Sequence, residues 1–179
     1  VNLFFNAAVF LCFSIFFRES YTVLFYLLGT LTEGDWGLIG ISGTIILFGL
    51  VFTWLFSREL NILTQGEATA FHLGVNVGRA KKLLFIASSA MVAAAVAVAG
   101  LIGFVGLIVP HMMRMIVGPD HRVLIPASAL GGAIFLILAD SLARILVPPL
   151  EIPVGALTAL IGSPYFVYLL RKRHQSGKF

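Results

Sequence analysis

Residues 83–113 contain no Asp, Glu, Lys or Arg, and residues 38–56 are likewise free of these charged side chains. A membrane-spanning helix needs about 20 consecutive apolar residues, so each stretch is long enough to cross a bilayer. Charged residues make up only 11% of the 179-residue chain, whereas 59% of its residues are hydrophobic. A soluble domain usually carries about 25% charged residues. These features predict an all-α, polytopic transmembrane helical bundle.

Polar residues and helix breakers divide the chain into about five or six membrane segments. The 83–113 stretch is too long for one straight span, and Gly100, Gly103, Gly106 and Pro110 interrupt it. The predicted spans cover residues 1–17, 38–56, 82–101, 104–117, 124–147 and 153–170. We also predict a short helix at 20–32 that does not cross the membrane. Because the first span begins at Val1 itself, we expect the N-terminal spans of the protein to be missing.

The distribution of Lys and Arg predicts how these spans are oriented. Basic residues concentrate on the cytoplasmic side of membrane proteins. If each span crosses once, Arg18 and Arg144 fall on one side. The other ten basic residues fall on the opposite side: Arg58, Arg79, Lys81, Lys82, Arg114, Arg122, Arg171, Lys172, Arg173 and Lys178. The larger group, and with it the C-terminus, is therefore predicted to be cytoplasmic. A re-entrant 104–117 segment would move Arg122 and the C-terminal cluster outside, so we reject that arrangement.

Several kinds of site are not expected on this chain. The net charge of +4 comes from short basic clusters between apolar blocks, without the aromatic and basic platform that binds nucleic acid. The sequence contains no Walker A motif, so we expect no nucleotide to bind here in that way. Four scattered histidines lack the spacing of a metal site, and the single Cys12 lies in an apolar block. We therefore predict no metal ligands and no catalytic residues.

The interval from Ser57 to Lys82 is the longest polar stretch of the chain. A link between two spans needs only a few residues. Here Gly66 and Gly74 bracket the helix-compatible sequence EATAFHL. Phe71, Leu73 and Val75 are apolar residues outside the predicted spans. Exposed apolar residues in a polar segment indicate a protein partner. A helix lying on the membrane surface is the alternative interpretation.

Asp140 and Arg144 are charged residues within a predicted span. Such residues are rare in membranes and mark functional positions by default. Their i, i+4 spacing places both on one helix face, where they can form an ion pair. At 1.5 Å per residue from a helix start near 124, Arg144 lies about 30 Å along, near the outer interface. Two interpretations follow: the ion pair has a structural role, or Arg144 binds a docking partner.

Three ordered blocks of sequence resemble the FecCD-type permeases, which are the membrane subunits of type II ATP-binding-cassette importers. The blocks are LNILTQGEATAFHLGVNV (60–77), VAVAGLIGFVGLIVPHMMRMIVGPDHR with the following helix to Arg144 (96–144), and EIPVGALTALIGSPYFVYLLRK (151–172). Where the family often has Pro, this chain has Leu101. The resemblance implies that residues 1–179 are the C-terminal part of one ten-span transmembrane permease domain, with a cytoplasmic coupling loop at about 57–82.

The resemblance also implies roles for individual residues. Gly66, Glu67, Ala70, Leu73 and Gly74 match the family's loop that docks into the ATPase subunit. Arg144 matches the family's outward arginine, which pairs with an acidic residue of the extracytoplasmic substrate-binding protein. We expect the acidic patches at Glu33–Asp35 and Glu151 to contribute to the same docking face.

The function implied is import of an iron-siderophore, haem, cobalamin or a related metal chelate across the bacterial cytoplasmic membrane. The expected partners are two ATPase subunits, a substrate-binding protein, a second permease subunit and membrane lipid, but no nucleic acid. ATP and Mg²⁺ would bind the ATPase, so this chain would hold no cofactor and would not itself be an enzyme. The alternative is a self-contained channel or ion-coupled secondary transporter. That alternative needs titratable groups in mid-membrane, where only Asp140 is close.

Overall fold

The computed structural model describes residues 28–31, 34–146 and 152–176, and all regular structure in these ranges is helical. The predicted span at 1–17, most of the predicted helix at 20–32, Glu33 and Glu151 lie outside the described residues. Seven helices follow one another along the described chain: α1 (Trp36–Leu55), α2 (Ser57–Leu63), α3 (Glu67–His72), α4 (Val77–Ala99), α5 (Val105–Val117), α6 (His121–Leu146) and α7 (Val154–Ser176). The all-α prediction is confirmed for this part of the molecule.

Three of the predicted spans are helices long and apolar enough to cross a membrane. These are α1, α4 and α6, with 20, 23 and 26 residues. The predicted spans at 104–117 and 153–170 correspond to α5 and to the apolar part of α7, Val154–Val167, which are both shorter. The 13 residues of α5 rise about 20 Å, less than the ~30 Å of a bilayer core. The crossing of α5, and the orientation that depends on it, remains a prediction.

Several helices extend beyond the predicted spans, because charged side chains end the apolar part of a helix without ending the helix. Helix α4 begins at Val77 rather than at 82, where the side chain of Asn76 accepts a hydrogen bond from the backbone N–H of Arg79 over 3.1 Å. Helix α6 begins at His121 rather than at 124, and α7 continues past 170 to Ser176. The predicted loop at 57–82 therefore consists of α2, α3 and the first turns of α4.

Small residues allow close packing within two pairs of helices. Helix α1 packs along α4, where Gly49 faces the side chain of Met91. Helix α5 packs along α6, where a Cβ built at Gly131 would lie 3.2 Å from Sδ of Met113. Glycine and alanine are typical of such contacts because they let helix backbones approach. Most of the small residues at 87–103 are nevertheless exposed, although Ala94 is buried.

Three backbone segments meet where α4 ends and α7 begins. The N–H of Thr30 donates to the carbonyl of Ala99 over 3.0 Å, and the N–H of Gly155 donates to the carbonyl of Gly29 over 3.2 Å. A Cβ built at Gly29 would lie 2.5 Å from the carbonyl oxygen of Leu101, and one built at Gly155 would lie 2.8 Å from the same oxygen. We call Gly29, Ala99, Leu101 and Gly155 the glycine junction. It closes the bundle at the end where α1 begins.

The turn between α4 and α5 is strained at a single residue. Phe104, which precedes α5, has a φ of 66° and is the one non-glycine residue with positive φ in the described ranges. Its side chain occupies the space that a Cβ at Gly162 would need, and its ring meets that of Phe166 edge-on at 6.5 Å. Packing against α7 therefore holds Phe104 in a conformation that phenylalanine rarely adopts.

Candidate functional site

The segment between α1 and α4 forms a compact structure at the opposite end of the bundle from the glycine junction. Helices α2 and α3 both lie in it, and we call residues 57–76 the coupling segment. Gly66, with φ of 110°, precedes α3, and Gly74, with φ of 79°, follows it. The predicted glycine-bracketed helix is thus present, with Leu73 as its C-terminal cap.

Backbone hydrogen bonds explain why Gly74 ends α3. The N–H of Gly74 donates to the carbonyl of Phe71, and the N–H of Val75 donates to the carbonyl of Ala70, both over 3.0 Å. This pair of bonds is a Schellman motif, which requires a left-handed residue at the position of Gly74. A side chain there would clash with its own backbone. The glycine therefore sets the direction in which the chain leaves α3 for α4.

The side chains of α3 divide into an inward and an outward set. Ala70 is fully buried, so its face of α3 points into the protein. Phe71 and Leu73 are 73% and 60% exposed, so two apolar side chains point outward at the tip of the coupling segment. Glu67 forms an ion pair with Lys81 of α4, and both side chains are more than half exposed. The structure thus groups all five predicted coupling residues, and it presents an apolar surface beside a charged pair.

Polar side chains attach the coupling segment to the start of α6. Asn61 of α2 donates from Nδ2 to Oδ1 of Asp120 over 2.6 Å, and its Oδ1 accepts from the backbone N–H of His121 over 2.9 Å. Nδ1 of His121 also lies 2.7 Å from Oδ1 of Asn61. We call Asn61, Asp120 and His121 the polar latch. It joins residues about sixty positions apart in the chain.

Asp120 has a second role as the cap of α6. Its Oδ1 accepts from the backbone N–H of Arg122 over 3.0 Å. This bond, followed in importance by the one from Asn61, lowers the pKa of the Asp120 carboxyl below its ordinary value, because both stabilise the charged form. The sequence analysis did not identify Asp120 as functional. In the sequence, Asp120 follows Gly118 and Pro119 and precedes an apolar run, and this pattern is typical of a helix N-cap.

Trp54 forms a further link between α1 and α6. Pro126 lies inside α6 and has no N–H, so the carbonyl of Arg122, four residues earlier, lacks its usual helical donor. The indole Nε1 of Trp54 donates to that carbonyl over 2.9 Å. The tryptophan therefore satisfies a backbone group that the proline leaves open. It also holds the end of α1 beside the polar latch.

Asp140 and Arg144 lie near the other end of α6. Nε of Arg144 donates to Oδ2 of Asp140 over 2.8 Å, in the i, i+4 pair that the spacing predicts. Arg144 lies 23 residues after His121, which is about 35 Å along the helix. One continuous helix thus connects the polar latch with the predicted docking arginine. Glu151, the other predicted docking residue, is outside the described residues, and Asp35 caps the start of α1 through the N–H of Gly37.

Within the described ranges, no three His, Cys, Asp or Glu side chains come together in a group that could hold a metal ion. This end of the molecule instead presents an exposed apolar tip, a glycine with positive φ on each side of α3, and hydrogen bonds from α2 to the start of α6.

Comparison with known proteins identifies the group to which this arrangement belongs. Residues 1–172 match the FecCD transport family, over nearly the whole chain. The chain belongs to that family. The resemblance found in the three sequence blocks is therefore confirmed.

Individual relatives of this FecCD chain are permeases of several import systems. It is 49% identical over 149 residues to the hemin transport system permease protein HmuU of Yersinia pestis, covering 83% of this chain and 45% of that protein. It is 49% identical to the cobalamin import system permease protein BtuC of Halobacterium salinarum, covering 87% and 42%. It is 47% identical to the Fe(3+) dicitrate transport system permease protein FecD of Escherichia coli, covering 82% and 46%. The chain thus spans about half the length of these relatives.

The fold of the FecCD chain also agrees with a solved structure. A metal-chelate type ABC transporter in an inward-facing conformation superposes with a TM-score of 0.83 at 37% sequence identity. The superposition covers 94% of this chain and 55% of the transporter chain. The multi-pass helical arrangement described above is therefore the arrangement of an ABC permease.

Proposed function

We propose that this chain is the C-terminal part of a permease subunit of an ATP-binding-cassette importer in the bacterial cytoplasmic membrane, with its own C-terminus in the cytoplasm. The cargo would be an iron-siderophore or a related metal chelate such as haem or cobalamin. Named relatives that carry hemin, cobalamin and Fe(3+) dicitrate support this class of cargo. The observation that carries the proposal is the coupling segment, which presents Phe71 and Leu73 outward while Asn61 is bonded to α6.

The proposed mechanism begins with a partner ATPase that holds α3. ATP and Mg²⁺ bind the ATPase subunits, and the permease performs no chemistry on the chelate. Movement of α3 would pass through α2 to Asn61 and from there to Asp120 and His121 at the start of α6. Because α6 is continuous from His121 to Leu146, a displacement at the polar latch would tilt the end that carries Arg144. A second permease subunit, identical or different, would lie beside this one, and the chelate would pass between the two subunits.

The docking of the ATPase is tested by reversing the charge of Glu67. In the full-length permease, Glu67→Arg is expected to abolish co-purification with the ATPase and chelate uptake, because it replaces an acidic group with a basic one on α3. Lys82→Glu is the matched control, since it reverses a charge on α4 outside the coupling segment. Normal co-purification and uptake by the Glu67→Arg permease would refute this role.

The docking of an extracytoplasmic binding protein is tested at Arg144. Arg144→Glu is expected to remove stimulation of the ATPase by the binding protein while leaving the permease–ATPase complex assembled. Asp140→Asn breaks the same ion pair but keeps the arginine, so stimulation should survive in that variant. Equal loss of stimulation in both variants would indicate a structural ion pair rather than a docking residue.

The ion-coupled transporter of the sequence analysis depended on Asp140 as a titratable group in the membrane. Nε of Arg144 donates to that carboxylate in an ion pair, so Asp140 is not an isolated acidic group within the described part of the chain. Chelate uptake that persists after deletion of the ATPase would nevertheless favour the transporter over the importer.

A further inference from the structure

A cavity of about 570 Å³ lies where the coupling segment meets the ends of α1 and α4. Its lining includes Arg58 and Glu59 of α2, Arg79 of α4, and the apolar side chains of Phe56, Ile62 and Leu83. Leu73 and Gly74, two of the predicted ATPase-docking residues, line it as well. The volume is within the range of about 300–1,000 Å³ that is typical of small-molecule sites. The cavity is therefore large enough for a small polar group, and both charged and apolar side chains line it.

The charged groups of this cavity lack partners within the part of the chain that the structure describes. Neither Arg58 nor Arg79 forms an ion pair with a described acidic residue, since the pairs found there join Lys81 to Glu67 and Arg144 to Asp140. Oε2 of Glu59 is shielded from solvent and receives no hydrogen bond. A shielded carboxylate oxygen without a donor is unfavourable, and a cation bound to the same carboxyl group would relieve it.

An apolar groove along the membrane helices adjoins the cavity. This groove has a volume of about 580 Å³ and lies between α1 and α4, where it is lined by side chains that include Phe48, Phe52, Ile86 and Ala90. Leu83 lines both the cavity and the groove, so the two are adjacent. The groove extends from Thr44 to Leu55, which is about 16 Å along α1.

We propose that the cavity and the groove together bind one aminophospholipid of the phosphatidylethanolamine type. Its phosphate would pair with Arg58 and Arg79, its primary ammonium would donate to the carboxylate of Glu59, and an acyl chain would lie in the groove. Guanidinium groups suit phosphate because they donate several hydrogen bonds. A headgroup with phosphate alone would leave Glu59 unpartnered beside a second negative charge.

A lipid accounts for the cavity and the groove together, whereas the partner ATPase accounts only for the cavity end, where it would share Leu73 and Gly74. The ATPase is a cytoplasmic protein in the proposed function, so it could reach the charged cavity but not a groove between two membrane-length helices. The apolar continuation through Leu83 requires an occupant that is charged at one end and hydrocarbon at the other. The inference rests on the membrane placement within the proposed function, and not on the direction or energy source of transport.

The test measures lipid binding to the full-length permease, purified in detergent and delipidated. Native mass spectrometry would follow rebinding of phosphatidylethanolamine, phosphatidylcholine and phosphatidylglycerol. We expect the first to bind at least about tenfold more tightly than the other two, because only it combines a phosphate with an ammonium that donates hydrogen bonds. Equal binding of the three lipids would overturn the proposal.

Variants separate the two halves of the headgroup site. Glu59→Gln should abolish the preference for phosphatidylethanolamine over phosphatidylcholine, whereas Arg58→Gln combined with Arg79→Gln should weaken both lipids by about tenfold or more. Arg114→Gln on α5, which does not line the cavity, is the control. An unchanged preference in the Glu59→Gln permease would contradict the assignment of the ammonium.

Two further outcomes keep this inference distinct from the proposed function. If the lipid binds as expected but uptake does not require ATP, the importer proposal fails and the lipid site stands. If uptake is ATP-driven but the cavity is filled by the ATPase or by other spans of the permease, crosslinks from Cys introduced at Leu83 will join protein rather than lipid, and the lipid site is refuted.

Discussion

The two ends of the helical bundle are held together by different kinds of contact. At the glycine junction the contacts are between backbones, with the N–H of Gly155 bonded to the carbonyl of Gly29 and no room for a Cβ at either residue. At the polar latch the contacts are made by side chains, chiefly Asn61 with Asp120. Backbone packing has one arrangement, whereas side-chain hydrogen bonds can exchange partners with modest free-energy change. The backbone arrangement is therefore fixed at the glycine junction, whereas the side-chain hydrogen bonds of the polar latch can rearrange.

The largest effect is expected from filling the glycine junction. Gly155→Ala places a methyl group against the carbonyl oxygens of Leu28 and Leu101, and we expect it to destabilise the permease by about 3 kcal/mol or more. Denaturation in mixed micelles measures this. Gly132→Ala is the control, because nothing lies near a Cβ at that position of α6. If the two variants are equally stable, the junction is not the rigid end.

A smaller loss of stability, but a larger loss of coupling, is expected at the polar latch. Asn61→Leu removes the donor to Asp120 and the acceptor for His121, which should destabilise the fold by about 1–2 kcal/mol. ATP hydrolysis should continue while uptake falls, since movement of α3 no longer reaches α6. The neighbouring Gln65→Leu should leave both unchanged. Uptake that stays proportional to hydrolysis in the Asn61→Leu permease would show that the latch transmits nothing.

The link between Trp54 and Pro126 is tested by a double-mutant cycle. Trp54→Phe leaves the carbonyl of Arg122 without a donor and should destabilise the permease by about 1–2 kcal/mol. In a Pro126→Ala background the helix supplies its own N–H to that carbonyl, so the same substitution should be nearly neutral. Additive free energies of unfolding in the four proteins would mean that Trp54 does not compensate for the proline.

The smallest effect is expected at the end of α3. Gly74→Ala forces a side chain into a left-handed conformation, which costs roughly 1 kcal/mol. Because α3 is at the edge of the molecule, we expect local unfolding of the coupling segment, measured by faster amide hydrogen exchange at Gly74 and Val75, with little change in global stability. Gly78→Ala, in the first turn of α4, should be neutral. Unchanged exchange in the Gly74→Ala permease would argue against the Schellman motif as its anchor.

Much of the fold could be predicted from the order of residues along the chain. Uninterrupted apolar stretches predicted α1, α4 and α6, since hydropathy over about 20 residues is a local property. The helix between Gly66 and Gly74 followed from the glycines on either side. The pair of Asp140 and Arg144 followed from the pitch of one helix.

Helix boundaries were less predictable at the polar ends. The predicted coupling loop at 57–82 includes the first turns of α4, because Arg79, Lys81 and Lys82 are compatible with a helix that continues beyond its apolar part. Hydropathy reports where the lipid ends, whereas the end of a helix depends on its backbone hydrogen bonds and caps such as Asn76.

Local sequence therefore determined the membrane class, the helical content and the shape of α3. Three contacts were decided only by the tertiary structure. Asn61 donates a hydrogen bond to Asp120, Trp54 donates one to the carbonyl of Arg122, and Gly155 packs against the carbonyl oxygens of Leu28 and Leu101. The physical reason is distance along the chain. Hydropathy and helix pitch act over a few turns, but these contacts join residues more than fifty positions apart, and each exists only after the helices have packed.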